Sequence, residues 1–78
     1  MNRQEIESVA LNVLATVLKC EVSKKTSREN TPQWDSLKHI EVIFAIEDEL
    51  GHLFSEVELA ELNSVERIIE KVLNHNAT

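Results

Sequence analysis

The sequence has few of the residues that break or crosslink a chain: its 78 residues include one glycine, one proline and one cysteine. Because Cys20 is the only cysteine, no disulfide can form within the chain. There is no run of eighteen apolar residues and no signal-like N-terminus, so we expect neither a membrane span nor secretion. With 42% apolar and 28% charged residues, the composition indicates a compact helical protein of the cytoplasm rather than a disordered tail.

Basic residues are also scarce, since eight lysines and arginines stand against fourteen acids and the net charge is -6. Nucleic acid and anionic membranes repel such a chain, so we expect neither as a partner and favour partners with basic surfaces. The length predicts one domain, residues 1–78, with little room for an enclosed catalytic cleft. We expect it to be a monomer.

Apolar residues recur at steps of three and four in residues 3–18, which predicts an amphipathic helix. The stripe consists of Ile6, Val9, Ala10, Val13, Leu14 and Val17. Asn2 and Glu5 have the spacing of a capping box at its start. The periodicity fails in residues 19–33, where "KKTSRENTPQ" has the composition of a loop. A loop of about fifteen residues is long for so small a domain, and such loops are often functional or ordered by packing.

A second helix is predicted to begin at Ser36, with Asp35 as its N-cap. It should end before Gly51, which can adopt the left-handed conformation of a helix C-cap. The segment "SEVELAEL", residues 55–62, opens with capping-box spacing and predicts one short helix.

The last apolar stripe, in residues 65–73, predicts a fourth helix with Asn63 or Ser64 as its cap. No segment has a defensible strand pattern. The sequence therefore predicts an all-α fold, a small antiparallel four-helix bundle with three longer helices and one short one.

The second helix carries more apolar residues than one buried face requires. One stripe, expected to face the core, consists of Val42, Ile43, Ile46 and Leu50. A neighbouring stripe consists of Leu37, Ile40 and Phe44. This second stripe is either core as well, since a central helix can be buried widely, or an exposed patch that docks a partner. The docking interpretation fits the acidic residues around it, Glu41, Glu47 and Asp48.

Charge is segregated along the chain. Residues 35–62 contain eight acids and one base, Lys38, whereas residues 19–31 contain four bases and two acids. A solvated surface would explain a moderate excess, but this concentration around one helix favours steering toward a basic partner.

Ser36 lies at the mouth of the second helix, in "QWDSLKH". A nucleophilic serine requires a base, an oxyanion hole and usually a strained elbow, which this stretch does not supply. His39 can share a helix face with Ser36, but a lone surface imidazole without an orienting carboxylate favours a bystander role. A serine in the first helical turn can hold a phosphate ester, because free backbone N–H groups and the helix dipole stabilise the anion. The stretch alone fits equally well a plain helix-start serine beside the Asp35 cap.

The tripeptide "DSL" opens an acidic second helix in a chain of about eighty residues whose helices run long, long, short, long. In this combination the chain resembles the acyl carrier proteins. The resemblance covers residues 34–73, including "IEVIFAIEDEL" and "ELAELNSVERII", and the first helix fits it as well.

The resemblance implies that a phosphopantetheinyl transferase attaches 4′-phosphopantetheine from coenzyme A to Ser36, and that the thiol of this arm carries acyl groups as thioesters. Asp35 would cap the helix and be recognised by the transferase. The transferase and the enzymes that load, transfer or extend the acyl group would dock through basic surfaces. The docking residues would be Leu37, Ile40, Glu41, Phe44, Glu47 and Asp48. Such a protein is a carrier without a metal site and not an enzyme.

Three features depart from the fatty-acid type of this family. Gln33 stands where a Gly is usual, Lys38 stands where an acid is usual, and the preceding loop has no Phe to plug the core. Cys20, Val22 or Trp34 can take that last role. These departures favour a specialised carrier in a dedicated pathway. The dipeptide before the serine, "WD", differs from that of peptidyl carriers, while aminoacyl or D-alanyl carriers and an unmodified helical interaction module stay open.

Overall fold

The computed structural model describes residues 2–51 and 53–76, and in these ranges it contains four α-helices and no β-strand. The helices are α1 (Arg3–Leu18), α2 (Ser36–Leu50), α3 (Glu56–Glu61) and α4 (Val65–Asn76). The predicted all-α class and the order of three longer helices and one short one are confirmed. No helix in the same ranges is long and apolar enough to cross a membrane.

Two helices begin at the capping boxes that the sequence predicts. At α1, the side chain of Asn2 accepts a hydrogen bond from the backbone of Glu5, whose own side chain reaches back to the backbone of Asn2. Ser55 and Glu58 form the same reciprocal pair at α3. Such boxes satisfy N–H groups that the first helical turn leaves without a partner, so these starts are set by local sequence.

Single residues also mark three further helix ends. Ser64 Oγ accepts a hydrogen bond of 3.2 Å from the N–H of Arg67, which identifies Ser64 rather than Asn63 as the cap of α4. Gly51 ends α2 with a φ of 63°, the left-handed conformation that the sequence predicts. Lys19 adopts the same conformation after α1, with a φ of 55°.

The core is one cluster of buried apolar side chains around α1, which packs against both α2 and α4. Its wholly inaccessible members are Ile6, Leu14, Val42, Ile43, Ile46, Leu62, Val65, Ile68 and Ile69. Burial of one such side chain contributes about 1.5–3 kcal/mol. Several residues predicted for the core stripes are only partly buried at its edge, namely Val9, Val17, Leu50 and Leu73. The short helix α3 has no buried residue, and Leu62 after it anchors this segment.

The loop between α1 and α2, residues 19–35, is ordered by contacts with the start of α4. The backbone N–H of Arg28 donates a hydrogen bond of 2.9 Å to the carbonyl of Asn63. An isolated antiparallel bridge joins Ser27 and Ser64. The long loop is therefore attached to the helical bundle immediately before α4.

The loop also supplies an aromatic side chain to the core. Trp34 is 2% exposed, whereas Cys20 and Val22 are partly buried against the core. Of the three residues from which the sequence predicts core filling by this loop, Trp34 is the one that enters the core.

One ion pair links the end of the short helix α3 to α4. The Nζ of Lys71 lies 2.9 Å from Oε2 of Glu61. The hydrogen bond to the Glu61 carboxylate raises the pKa of Lys71 above its ordinary value. Because the pair is on the surface, it contributes little to the stability of the fold.

Candidate functional site at the start of helix α2

The N-terminal end of α2 carries the serine that the sequence singles out. Asp35 has an extended backbone, and its Oδ1 accepts a hydrogen bond of 2.9 Å from the N–H of Lys38. The prediction that Asp35 is the N-cap is confirmed. Ser36 is the first helical residue and is exposed. Capping of α2 therefore does not require the Ser36 hydroxyl.

Two other serines at helix starts have a different role. The hydroxyls of Ser55 and Ser64 each accept a hydrogen bond of 3.2 Å from the backbone N–H three residues later. Both hydroxyls are thus used as helix caps. Ser36 Oγ instead lies 3.5 Å from Nη2 of Arg28. Among these three serines, Ser36 alone combines an exposed position with a hydroxyl that caps nothing.

Arg28 approaches the site from the loop, and sequence reasoning missed it. Its Nε donates a hydrogen bond of 3.3 Å to the carbonyl of Trp34, two residues before Ser36. The N–H of Trp34 donates a bond of 3.0 Å to the carbonyl of Thr31, which is also buried. Hydrogen bonds at both the N–H and the carbonyl of Trp34 therefore hold the chain that leads into α2. The sequence shows several basic residues in this loop but gives no signal for which of them folds back onto residue 36.

His39 is not the surface imidazole that the sequence predicts. It is 7% exposed, its Nδ1 lies 3.0 Å from Nε1 of Trp34, and its Nε2 lies 2.7 Å from the carbonyl oxygen of Leu59. Both ring nitrogens are engaged inside the fold, so the structure does not bring His39 to Ser36 as a base. The four-residue step from His39 to the buried Ile43 is the signal that could have placed the imidazole on the core face.

The second apolar stripe of α2 lies on the surface. Leu37, Ile40 and Phe44 are 75%, 49% and 60% exposed. The core stripe of the same helix is inaccessible at Val42, Ile43 and Ile46. All three side chains of the second stripe are therefore exposed rather than part of the core. The prediction that Leu37 and Phe44 are more exposed than the core stripe is confirmed. We refer to Leu37, Ile40 and Phe44 as the apolar patch.

The structure adds two exposed apolar residues that sequence reasoning missed. Leu53 is 81% exposed and Val57 is 70% exposed. Leu53 and Phe44 line the same shallow depression. Because Leu53 follows the end of α2, the helical periodicity of α2 could not include it. The apolar surface at this end of the patch is wider than the helix alone indicates.

The three acidic residues predicted around the apolar patch have different surroundings. Asp48 is exposed. Glu41 is exposed and forms an ion pair with Lys38, with 3.5 Å between Oε2 and Nζ. Glu47 is half-buried, and its Oε2 accepts a hydrogen bond of 2.8 Å from the N–H of Phe54. Glu47 therefore also holds the segment that follows α2, a contact that sequence reasoning missed.

Comparison of the chain with protein-family models gave no match, and comparison with curated proteins gave no significant match. The described residues contain no group of three or more His, Cys, Asp or Glu side chains placed to hold a metal ion.

Proposed function

We propose that the protein is an acyl carrier, which holds acyl groups as thioesters on a 4′-phosphopantetheine arm attached to Ser36. The observation that carries this proposal is the exposed Ser36 at the first residue of α2. Because Asp35 caps the helix, the Ser36 hydroxyl is not needed for capping. The backbone N–H groups of the first turn and the dipole of α2 favour an anionic ester at this position. An antiparallel, acyl-carrier-like arrangement of the four helices is part of the proposal.

Attachment of the arm requires one phosphoryl transfer to Ser36. Ser36 Oγ forms a bond with the phosphorus of coenzyme A that bears pantetheine. The bond between that phosphorus and the bridging oxygen of the diphosphate breaks, and adenosine 3′,5′-bisphosphate leaves with this oxygen. The hydroxyl proton passes to a base of the transferase. Ser36 is therefore a substrate residue of another enzyme, and the thiol of the attached arm is the group that accepts the acyl cargo.

The surface beside Ser36 fits docking of the transferase and of the enzymes that load or use the cargo. The apolar patch begins at Leu37, next to Ser36, and continues along α2 to Phe44. Apolar surface of this kind, rimmed by polar residues, is typical of protein interfaces. Glu41 and Asp48 are exposed on the same helix and would attract basic partner surfaces.

The arrangement is compatible with more than one cargo class. Lys38 on the first turn of α2 and Trp34 in the core distinguish this chain from the fatty-acid type that its sequence resembles. We therefore propose a specialised carrier in a dedicated pathway. An aminoacyl carrier is the alternative within the same chemistry, since an aminoacyl group forms the same kind of thioester.

A second candidate function is that of a small helical interaction module in which Ser36 is unmodified. The apolar patch and the exposed Leu53 favour it, because they offer a binding surface that does not depend on an arm. The two functions differ in whether they require the Ser36 hydroxyl. Only the carrier requires Ser36 Oγ.

Incubation with coenzyme A and a broad-specificity phosphopantetheinyl transferase, followed by intact-mass measurement, tests the proposal. The wild type should gain the mass of one phosphopantetheine group, and Ser36→Ala should gain none. Ser55→Ala is the matched control, since it removes a hydroxyl at another helix start, and it should be modified like the wild type. No gain in the wild type, or an equal gain in Ser36→Ala, would reject the carrier and leave the interaction module.

A further inference from the structure

We propose that Arg28 binds the phosphate group that the arm places on Ser36, so that the first part of the arm is fixed against the loop. The inference rests on the proposed function, because it requires a phosphate ester on Ser36. Arg28 and Ser36 are eight residues apart in the sequence, yet Nη2 of Arg28 lies 3.5 Å from Ser36 Oγ. The guanidinium is thus already beside the atom that would carry the phosphate.

Arg28 is held in this position by the fold. Its backbone N–H donates a hydrogen bond of 2.9 Å to the carbonyl of Asn63, and its Nε donates one of 3.3 Å to the carbonyl of Trp34. Trp34 is itself buried in the core. A side chain that is already ordered loses less conformational entropy on binding than a mobile surface arginine does. The guanidinium is therefore preorganised for an anion at Ser36.

The positive charge of Arg28 has no carboxylate partner within residues 2–51 and 53–76. The ion pairs there join Arg3 to Glu66, Lys38 to Glu41 and Lys71 to Glu61. A distance of 3.5 Å from Nη2 to a neutral hydroxyl is at the outer limit of a hydrogen bond. A phosphate at the same place is a far stronger partner, because the planar guanidinium presents N–H groups in a fork that matches phosphate oxygens.

Negative charges close to Ser36 in the sequence favour such a cation. Asp35 carries a negative charge one residue before Ser36, and residues 35–62 hold eight acids against one base. A phosphate on Ser36 would be repelled by these charges. Arg28 offsets the repulsion at the point of attachment.

The test compares the stabilities of unmodified and phosphopantetheinylated protein by chemical denaturation, for the wild type, Arg28→Gln and Lys24→Gln. Lys24 is exposed in the same loop, so Lys24→Gln removes the same charge as a matched control. Arg28→Gln should raise the unfolding equilibrium constant of the modified protein about two- to fivefold more than that of the unmodified protein. Lys24→Gln should show no such excess. The bond from Nε to Trp34 is lost in both forms, so its structural effect cancels in the comparison.

Phosphorus NMR of the modified proteins supplies a second readout at the phosphate itself. The phosphodiester signal should shift in Arg28→Gln and stay in place in Lys24→Gln. If Arg28→Gln does not fold, Arg28→Lys replaces it in both measurements, with a smaller excess expected because lysine lacks the fork. An excess of zero, or an unmoved phosphorus signal, would overturn the role of Arg28 while the mass gain on Ser36 left the carrier function standing. Absence of that mass gain would overturn both.

Discussion

The indole Nε1–H of Trp34 donates a hydrogen bond of 3.0 Å to Nδ1 of His39. Because Nδ1 accepts this bond, the bonding pattern assigns the proton of the neutral ring to Nε2, which donates to the carbonyl of Leu59 at 2.7 Å. Both side chains are buried. The loop before Ser36, helix α2 and helix α3 thus meet at one internal polar contact, which sets the position of the candidate site relative to α3.

Replacement of the indole should show how much this contact contributes. Trp34→Phe leaves Nδ1 of His39 without its donor in a buried position, so the free energy of unfolding should fall by about 1–3 kcal/mol. Chemical denaturation measures the loss. Leu37→Ala, on the exposed patch, is the control and should change stability by no more than about 0.5 kcal/mol. A Trp34→Phe variant as stable as this control would show that the contact does not hold the loop.

The two apolar stripes of α2 should respond differently to truncation. Ile46 is inaccessible and Phe44 is 60% exposed. Ile46→Ala should therefore lower the free energy of unfolding by about 2–5 kcal/mol, and Phe44→Ala by far less. Denaturation of the two variants under the same conditions tests this. Equal losses would contradict the separation of a core stripe from an exposed stripe.

The helices and the exposed stripe could be predicted because they depend on residues close in sequence. Asp35 caps an N–H three residues later, and the apolar patch follows the period of a helix. The missed contacts join distant residues: Arg28 meets the start of α2 through the loop, and His39 contacts the backbone of Leu59, twenty residues away. Such contacts depend on how the elements pack, and no local pattern encodes them.

The Glu47 carboxylate holds the segment after α2 and also contributes to the negative charge of α2. Its replacement should therefore lower the free energy of unfolding. Its carboxylate accepts the hydrogen bond from the N–H of Phe54. Glu47→Lys should lower the free energy of unfolding by about 1–3 kcal/mol, because the hydrogen bond between its carboxylate and a partly buried N–H is lost. Asp48→Lys makes the same charge change at an exposed neighbour and should stay within about 0.5 kcal/mol. Equal stabilities in chemical denaturation would show that the bond to Phe54 contributes nothing.

Lys19 and Gly51, the left-handed residues that end α1 and α2, should give opposite changes in stability when they are replaced. A Cβ at Gly51 meets no atom within 4 Å, so the cost of Gly51→Ala comes from the positive φ alone, about 1–2 kcal/mol. Lys19 has a similar φ of 55°, and Lys19→Gly should stabilise the protein by up to about 1 kcal/mol. Thermal or chemical denaturation distinguishes the two signs. A neutral Gly51→Ala would contradict the assigned C-cap.

The exposed acids of α2 should control how fast the proposed transferase finds Ser36. Charges on a surface act mainly on the encounter rate and are screened over roughly 8 Å at physiological salt. Glu41→Lys and Asp48→Lys should each slow modification by roughly two- to tenfold at low salt, and the deficit should shrink as salt rises. Glu70→Lys makes the same change on an exposed residue of α4 and should leave the rate unchanged. If Glu41→Lys and Asp48→Lys are modified as fast as Glu70→Lys at low salt, α2 does not steer the transferase, although Ser36 could still carry the arm.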